Sequence, residues 1–278
     1  PPVFEPGGGG INVARALRKL GESSTAIYPS GGYSGNFLNS LLQEEQISTI
    51  TIDIKNHTRE NMIALDLATN LQYRFGMPGS ELYEAEWKAC LKAIEESKAT
   101  FIVASGSLPP GVPVDILARI ATMVKKQNRK LIIDSSGPAL ELALQEGVFL
   151  AKPNLGELSK LAGKEEINPN EIEPFARELI MKGACEILVV SMGMAGALLI
   201  SKEKEYKVTA PAVKIKSTVG AGDSMVAGMV KMLALGKNLK EVLQYGIACG
   251  TAATMNSGTQ LCNKEDVENL FTTIQSAG

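Results

Sequence analysis

The sequence predicts an α/β fold in three layers, with a mostly parallel sheet held between helices, and three observations carry that reading. Short continuous apolar runs such as Phe101-Ile102-Val103-Ala104 and Leu131-Ile132-Ile133 alternate with helical stripes, the pattern of strands buried on both faces. One pair of strand-like runs, 61–67 and 71–75, interrupts the alternation and reads as a hairpin. The chain of 278 residues is 45% hydrophobic, enough to bury a sizeable core, and one domain over 1–278 is the default at this length.

Taken in order, the glycines Gly7, Gly8, Gly9 and Gly10 precede apolar residues at Ile11, Ala14, Leu17 and Leu20. That spacing is a helical stripe, so the glycines stand at a helix N-terminus, although glycine runs also make plain tight turns. Residues 24–28 read as a strand, 35–45 as a helix and 48–54 as a second strand, and the hairpin follows. From residue 84 onward helices over 84–96, 114–127 and 139–145 alternate with strands over 100–104, 130–134 and 149–152. The last third holds a helix over 170–181, a strand over 186–191, an antiparallel pair over 196–200 and 205–209, and two long helices after Gly220. A closing helix begins near Lys264, behind the turn-rich Asn256-Ser257-Gly258-Thr259, which by itself is equally a helix cap. There is no internal repeat and no low-complexity linker.

Composition excludes several function classes. Net charge is −2 with Lys and Arg dispersed, so neither a nucleic-acid groove nor a polybasic membrane anchor is indicated. No apolar run reaches the length of a bilayer span and the start carries no signal-peptide pattern, which predicts a cytoplasmic protein. Cys90, Cys185, Cys249 and Cys262 lie far apart with no C-x-x-C pair, so buried free thiols are expected rather than zinc or redox chemistry. His57 is the only histidine, which leaves Ser-His catalysis or a His-rich metal site resting on one loop residue. Trp87 and the scattered methionines read as core filling.

Chemistry is concentrated at turns after strands. Lys216-Ser217-Thr218-Val219-Gly220-Ala221-Gly222-Asp223 is a small-residue turn opening into an apolar helix, which leaves unpaired amides at the helix start and makes an anion site. Asp223 in the first turn is either a stabilising helix-start charge or a base beside a bound phosphate. Parallel sheets collect ligands at the C-terminal ends of their strands, so Ser105-Gly106-Ser107, Asp134 and Lys152-Pro153-Asn154 should share one crevice. Asn154 and Glu157, three apart on a helix after Pro153, could order Mg²⁺ or its waters, or simply start a helix. No G-x-x-x-x-G-K-[ST] run is present, so the chain is not a P-loop kinase.

Five motifs fall in an order that resembles the ribokinase-like (pfkB) sugar kinases, over essentially the whole chain. They are Gly7-Gly8-Gly9-Gly10-Ile11-Asn12-Val13-Ala14-Arg15, Ser105-Gly106-Ser107-Leu108-Pro109-Pro110-Gly111, Lys152-Pro153-Asn154-Leu155-Gly156-Glu157, Val190-Ser191-Met192-Gly193 and Gly220-Ala221-Gly222-Asp223. Within the family the chain is most similar to the minor, ATP-dependent bacterial 6-phosphofructokinases, through Pro2-Val3-Phe4-Glu5-Pro6 and Gln72-Tyr73-Arg74-Phe75. Gly9 points the same way, because the sister 1-phosphofructokinases and tagatose-6-phosphate kinases usually carry Lys there.

The resemblance implies a ribokinase-like α/β/α fold in which the hairpin region, about 57–77, is a lid that covers the sugar and pairs with its twin in a homodimer. It implies ATP-dependent phosphorylation of fructose 6-phosphate at the 1-hydroxyl, with Asp223 as base and the amides of Gly220, Ala221 and Gly222 facing the γ-phosphate. Gly7, Gly8, Asn12, Ser107 and Asp134 would bind the sugar, and Arg59, whose planar cation suits a phosphate, its 6-phosphate. Lys152, Asn154, Ser191, Gly193, Thr218, Gly220, Gly222 and Asn256 would bind ATP, and Asn154 with Glu157 would serve Mg²⁺. Ser217, Val219, Ala253, Asn256 and Gly258 would form a K⁺ site. The family's leading strand, which ends in a sugar-binding Asp, has no counterpart before the glycine run, so a domain lacking that strand is expected. The rival readings are the sister sugar-phosphate kinases and, from another class, a non-catalytic protein that binds nucleotide or sugar phosphate.

Overall fold

The computed structural model describes residues 2–66, 69 and 72–277. Its centre is a six-stranded sheet ordered β10-β9-β8-β7-β6-β5, built from β5 (Phe101–Ser105), β6 (Lys130–Asp134), β7 (Val148–Ala151), β8 (Cys185–Ser191), β9 (Ala197–Ser201) and β10 (Glu205–Val208). Strands β5 to β8 run parallel, and β9 and β10 add antiparallel at one edge.

Why the sheet is sandwiched follows from the two-residue period of a strand. In β6, Ile132 packs with the first helix layer while Leu131 and Ile133 pack with the second. In β8, Ile187 and Val189 take the first side, Leu188 and Val190 the other. The central positions of these strands are apolar because both faces are covered. One layer holds α1 (Gly9–Lys19), α8 (Ala221–Ala234), α9 (Leu239–Thr254) and α10 (Lys264–Ala277); the other holds α4 (Ile116–Lys126), α5 (Pro138–Glu146), α6 (Leu155–Leu161) and α7 (Pro169–Met181), with Trp87 of α3 (Glu84–Glu96). Three layers were expected, and three are present.

A second, smaller sheet pairs β1 (Thr25–Ser30) with β2 (Ser48–Asp53) in parallel, packed on α1 and α2 (Gly32–Glu44) through Ile11, Ala14, Ala26, Tyr28, Leu42 and Ile47. Among the described residues, strand β1 is bonded to β2 alone and β5 ends the larger sheet. Residues of both line one cavity of about 2150 Å³ that continues to the glycine run and the hairpin.

The hairpin is present as β3 (Met62–Leu65) and β4 (Gln72–Phe75), antiparallel with Met62 opposite Phe75 and Leu65 opposite Gln72. Leu67, Ala68, Asn70 and Leu71 of the expected hairpin lie outside the described residues. Met62, Ile63, Tyr73, Phe75 and Met77 are exposed. Element boundaries shift by up to three residues from the expected ones, and one shift matters: β7 ends at Ala151, so Lys152 stands just beyond the strand. The four cysteines are all unpaired, but Cys90, on α3, is only half-buried where the other three are buried.

Candidate active site

The site is built around the first turn of α8. Gly220 caps it in the left-handed region with φ 74°, and a Cβ there would collide with the Leu261 side chain, so only glycine makes this turn. The amides of Ala221, Gly222 and Asp223 have no partner four residues back within the helix, which concentrates partial positive charge at this point.

Asp223 follows directly, and both of its oxygens have a donor. Asn12 Nδ2 donates to Oδ2 at 2.9 Å, and Ser105 Oγ donates to Oδ1 at 3.1 Å. Burial pushes the Asp223 carboxyl above the ordinary range, and the charge of Asp134 adds to that. The bonds from Asn12 and Ser105 and the charge of Lys152 pull the other way. The result is a carboxylate kept short of water, more basic than an exposed Asp, with its orientation fixed from two sides.

Beneath the helix start, Lys152 Nζ pairs with Asp134 Oδ1 at 3.0 Å, and the lysine is only 4% exposed. A Cβ on Gly222 would stand 3.6 Å from that Nζ and 3.7 Å from Asp134 Oδ2, so the pair lies against the amides. Removing either partner would leave an uncompensated buried charge. Asp134, expected on the sugar, is here engaged with Lys152, and the structure places the pair under the helix start rather than on the cavity wall.

The other expected sugar residues come together. Gly7, Gly8, Asn12, Arg59 and Ser107 all line the large cavity. Gly9 meets Ser105 so closely that a Cβ would collide with Oγ and come within 2.8 Å of the backbone carbonyl carbon, so no side chain fits at position 9. Arg59 is exposed at the mouth, near Gly79. His57 packs its ring on Tyr33 at 5.2 Å, and its carbonyl accepts the Ser80 hydroxyl at 2.5 Å, which leaves it a structural part.

The expected nucleotide residues gather on the next strand ends. Ser191 N donates to the Pro153 carbonyl at 3.0 Å and Ser191 bridges to Asn154, which joins the ends of β7 and β8. Gly193 follows in a short 3₁₀ turn with φ 59°. Asn154 and Glu157 form a reciprocal helix cap: Glu157 N donates to Asn154 Oδ1 at 2.9 Å, and Asn154 N to Glu157 Oε2 at 2.8 Å. The structural reading of this pair is thus realised, with the second oxygen of Glu157 outside the cap.

The turn before α8 is laced to the end of α9. Lys216 N and Ser217 N donate to the Thr254 carbonyl, Ser217 Oγ donates to the Gly258 carbonyl at 3.0 Å, and Val219 N donates to Ser217 Oγ at 3.2 Å. Asn256 N donates to the Ala253 carbonyl at 3.2 Å, while its side-chain amide bonds the Ala252 and Leu261 carbonyls. Ser217, Val219 and Gly258 are thus bonded together, Asn256 with Ala253 forms a second bonded set at the end of α9, and Thr218 lies in the same turn as Ser217. Hydroxyl and carbonyl oxygens of this kind suit a hard monovalent cation.

Sequence reasoning missed the hub that ties this cluster to the glycine run. Arg15, 3% exposed, donates to the Pro6 and Thr259 carbonyls and grips Glu45 with Nε and Nη2 at 2.7 and 2.6 Å. Glu5 accepts Thr259 N at 2.8 Å and Thr259 Oγ1 at 2.7 Å. One signal was available: an arginine beside the apolar stripe of the first helix, where the buried stretch runs from Ile11 to Leu17 without a break.

Comparison with known proteins gives the family. The model of the pfkB family carbohydrate kinases matches residues 2–266. The chain is 44% identical over 272 residues to ATP-dependent 6-phosphofructokinase isozyme 2 of Escherichia coli K12, covering 97% of this chain and 88% of that protein. The crystal structure of phosphofructokinase-2 from Escherichia coli with potassium matches with a TM-score of 0.96 at 44% identity, over 99% of this chain and 90% of the other. The structure of that enzyme with substrates and products matches at 0.95 and 43% identity, over the same shares. The chain belongs to the pfkB family of carbohydrate kinases.

Proposed function

We propose that this protein transfers the γ-phosphoryl group of ATP to the 1-hydroxyl of fructose 6-phosphate, giving fructose 1,6-bisphosphate. The observation that carries the reading is Asp223, a carboxylate held from both sides at a helix start and bonded to two residues that line the cavity. Phosphoryl transfer needs positioning, charge neutralisation and a proton acceptor, and little covalent work from the protein. The amides of Gly220, Ala221 and Gly222 supply the anion hole, Asp223 takes the proton from the 1-hydroxyl, and Arg59 binds the 6-phosphate.

Lys152, Asn154, Ser191, Gly193, Thr218 and Asn256 form the nucleotide side of this proposal. Mg²⁺ would be held chiefly by the nucleotide's phosphates, with Glu157 and Asn154 at its waters, and would neutralise phosphate charge. Among the described residues no three His, Cys, Asp or Glu side chains converge, which fits an ion carried in with its nucleotide. K⁺ at Ser217, Val219, Ala253, Asn256 and Gly258 would brace the turn that presents the amides. A homodimer through the hairpin and a cytoplasmic location complete the proposal, the first supported by the exposed Met62, Ile63, Tyr73 and Phe75.

Preference for the 6-phosphate is supported by Gly9, where a side chain such as the Lys of the sister kinases has no room. A coupled assay with ATP and fructose 6-phosphate, fructose 1-phosphate or tagatose 6-phosphate tests the reading. Fructose 6-phosphate should give the highest kcat/KM. A higher value for either rival would reassign the substrate.

A further inference from the structure

We infer that Ser105 is a positioning residue for Asp223, and that glycine at position 9 is what admits it. The inference rests on Asp223 being the base. Ser105 closes β5, where it pairs with Asp134 of β6 and where Gly106 N donates to the Asp134 carbonyl at 3.0 Å. The next residue is pinned as well, because Ser135 Oγ donates to the Gly106 carbonyl at 2.8 Å. The strand end is therefore held by its neighbour strand on one side and by Ser135 on the next residue.

That hydroxyl lies between two neighbours. On one side it donates to Asp223 Oδ1; on the other it fills the space that a Cβ on Gly9 would take. Even one methyl at position 9 must push Oγ away or shift the backbone of Ser105 and Gly106. Asn12 holds Oδ2, three residues along the helix that Gly9 begins, so helix α1 both supplies one donor to Asp223 and leaves room for the other.

Losing the Ser105 bond would free one end of a carboxylate already deprived of water. Its plane could then turn about the remaining Asn12 contact, which misaligns the lone pair meant for the sugar hydroxyl. The same loss removes a bond that favours the charged form. The groups facing Asp223 are Asn12 from α1, with Arg15 3.5 Å from the Asn12 Oδ1, Asp134 from β6 and Lys152 beyond β7. Of the charged ones Lys152 is paired with Asp134, and neither replaces a donor to Oδ1. With Ser105 gone, the Asp223 carboxyl moves further up and the acid limb of the rate profile moves to higher pH.

The test is a double-mutant cycle on the whole protein. Ser105→Ala should lower kcat about tenfold, the scale of one hydrogen bond to a charged group. KM for ATP and for fructose 6-phosphate should stay within about twofold, and the acid limb should move to higher pH. In an Asp223→Asn background, Ser105→Ala should cost nothing more, since a residue acting only through the base has nothing left to act on. Gly9→Ala, whose Cβ would also meet the Ser105 carbonyl carbon and the Gly106 amide, should lower kcat at least as far as Ser105→Ala. Wild-type kcat in Ser105→Ala, beside a collapsed Asp223→Asn, overturns the inference and spares the base. So does a raised sugar KM at unchanged kcat, or a full further loss in the Asp223→Asn background. An active Asp223→Asn variant removes the base, and this inference with it.

Discussion

The wall around Asp223 and the wall carrying Arg59 face one cavity, but they are held by different means. The first is set by buried bonds: donors on both Asp223 oxygens, the Lys152–Asp134 pair beneath, and a turn that only glycine can make. The second is a loop between β2 and a hairpin of two four-residue strands on which Met62, Ile63, Tyr73 and Phe75 are exposed. Its anchors include Thr58 N to the Gly31 carbonyl at 2.9 Å, Gly31 N to Thr58 Oγ1 at 3.0 Å, Ser34 Oγ to the Thr58 carbonyl at 2.6 Å and Asn56 Nδ2 to the Glu81 carbonyl at 2.8 Å. The difference fits the proposed roles. Charge that must be stabilised at the moment of reaction needs donors that are already in place, whereas a substrate's remote phosphate can be gripped by a side chain that orders on arrival.

The sharpest break of this comparison is Asp223→Asn, which keeps shape and amides but removes the proton acceptor. Turnover should fall by about 10² to 10⁴, the usual contribution of a positioned general base. MgATP binding should persist, because the amides remain and one negative charge near the phosphates is gone. A helix-start charge alone predicts the opposite pattern, a loss of about 0.3 to 1 kcal/mol in stability with the rate intact. Measuring kcat and the melting temperature on one preparation separates them.

On the other wall, Arg59→Ala should raise KM for fructose 6-phosphate about tenfold or more, the scale of one charge-assisted bond of about 1.5 to 3 kcal/mol. KM for ATP should be nearly unchanged. An unaltered sugar KM would take Arg59 out of the site, and an equal rise for both substrates would mean that the two walls are not separable.

The sheet and its two helix layers were legible because burial on both faces forces apolar residues at successive central strand positions, and few other structures do that. The anion site was legible for a similar reason: a glycine turn running into an apolar helix leaves amides with nowhere else to go. What could not be read is who pairs with whom across strands. Lys152 and Asp134 both stand at strand ends, yet nothing in their sequence spacing says that the lysine takes the aspartate as partner. The separation of β1 and β2 from the larger sheet was equally hidden, since each strand reads like any other. Arg15 was visible only as an anomaly, because its partners Pro6, Glu45 and Thr259 come from three distant segments.

The smallest expected effect concerns Asn154, where two roles compete on one residue. The reciprocal cap with Glu157 is present, so Asn154→Ala should cost about 1 kcal/mol of stability, the usual value of an N-cap. For a chain of this size that is roughly a 2 to 4 °C fall in Tm. If the cap is all that Asn154 provides, kcat and the Mg²⁺ concentration for half-maximal rate should stay near their wild-type values, and Asn154→Asp, which still accepts the Glu157 amide, should restore Tm. If Asn154 also orders Mg²⁺ waters, Asn154→Ala should raise the Mg²⁺ requirement several-fold beyond anything its stability loss explains, since a 1 kcal/mol cap leaves nearly all molecules folded at 25 °C. Asn154→Asp would then recover Tm but shift the Mg²⁺ dependence again, because it adds a carboxylate beside that of Glu157. A titration of rate against Mg²⁺ at saturating ATP, run beside the melts, reads the two roles separately.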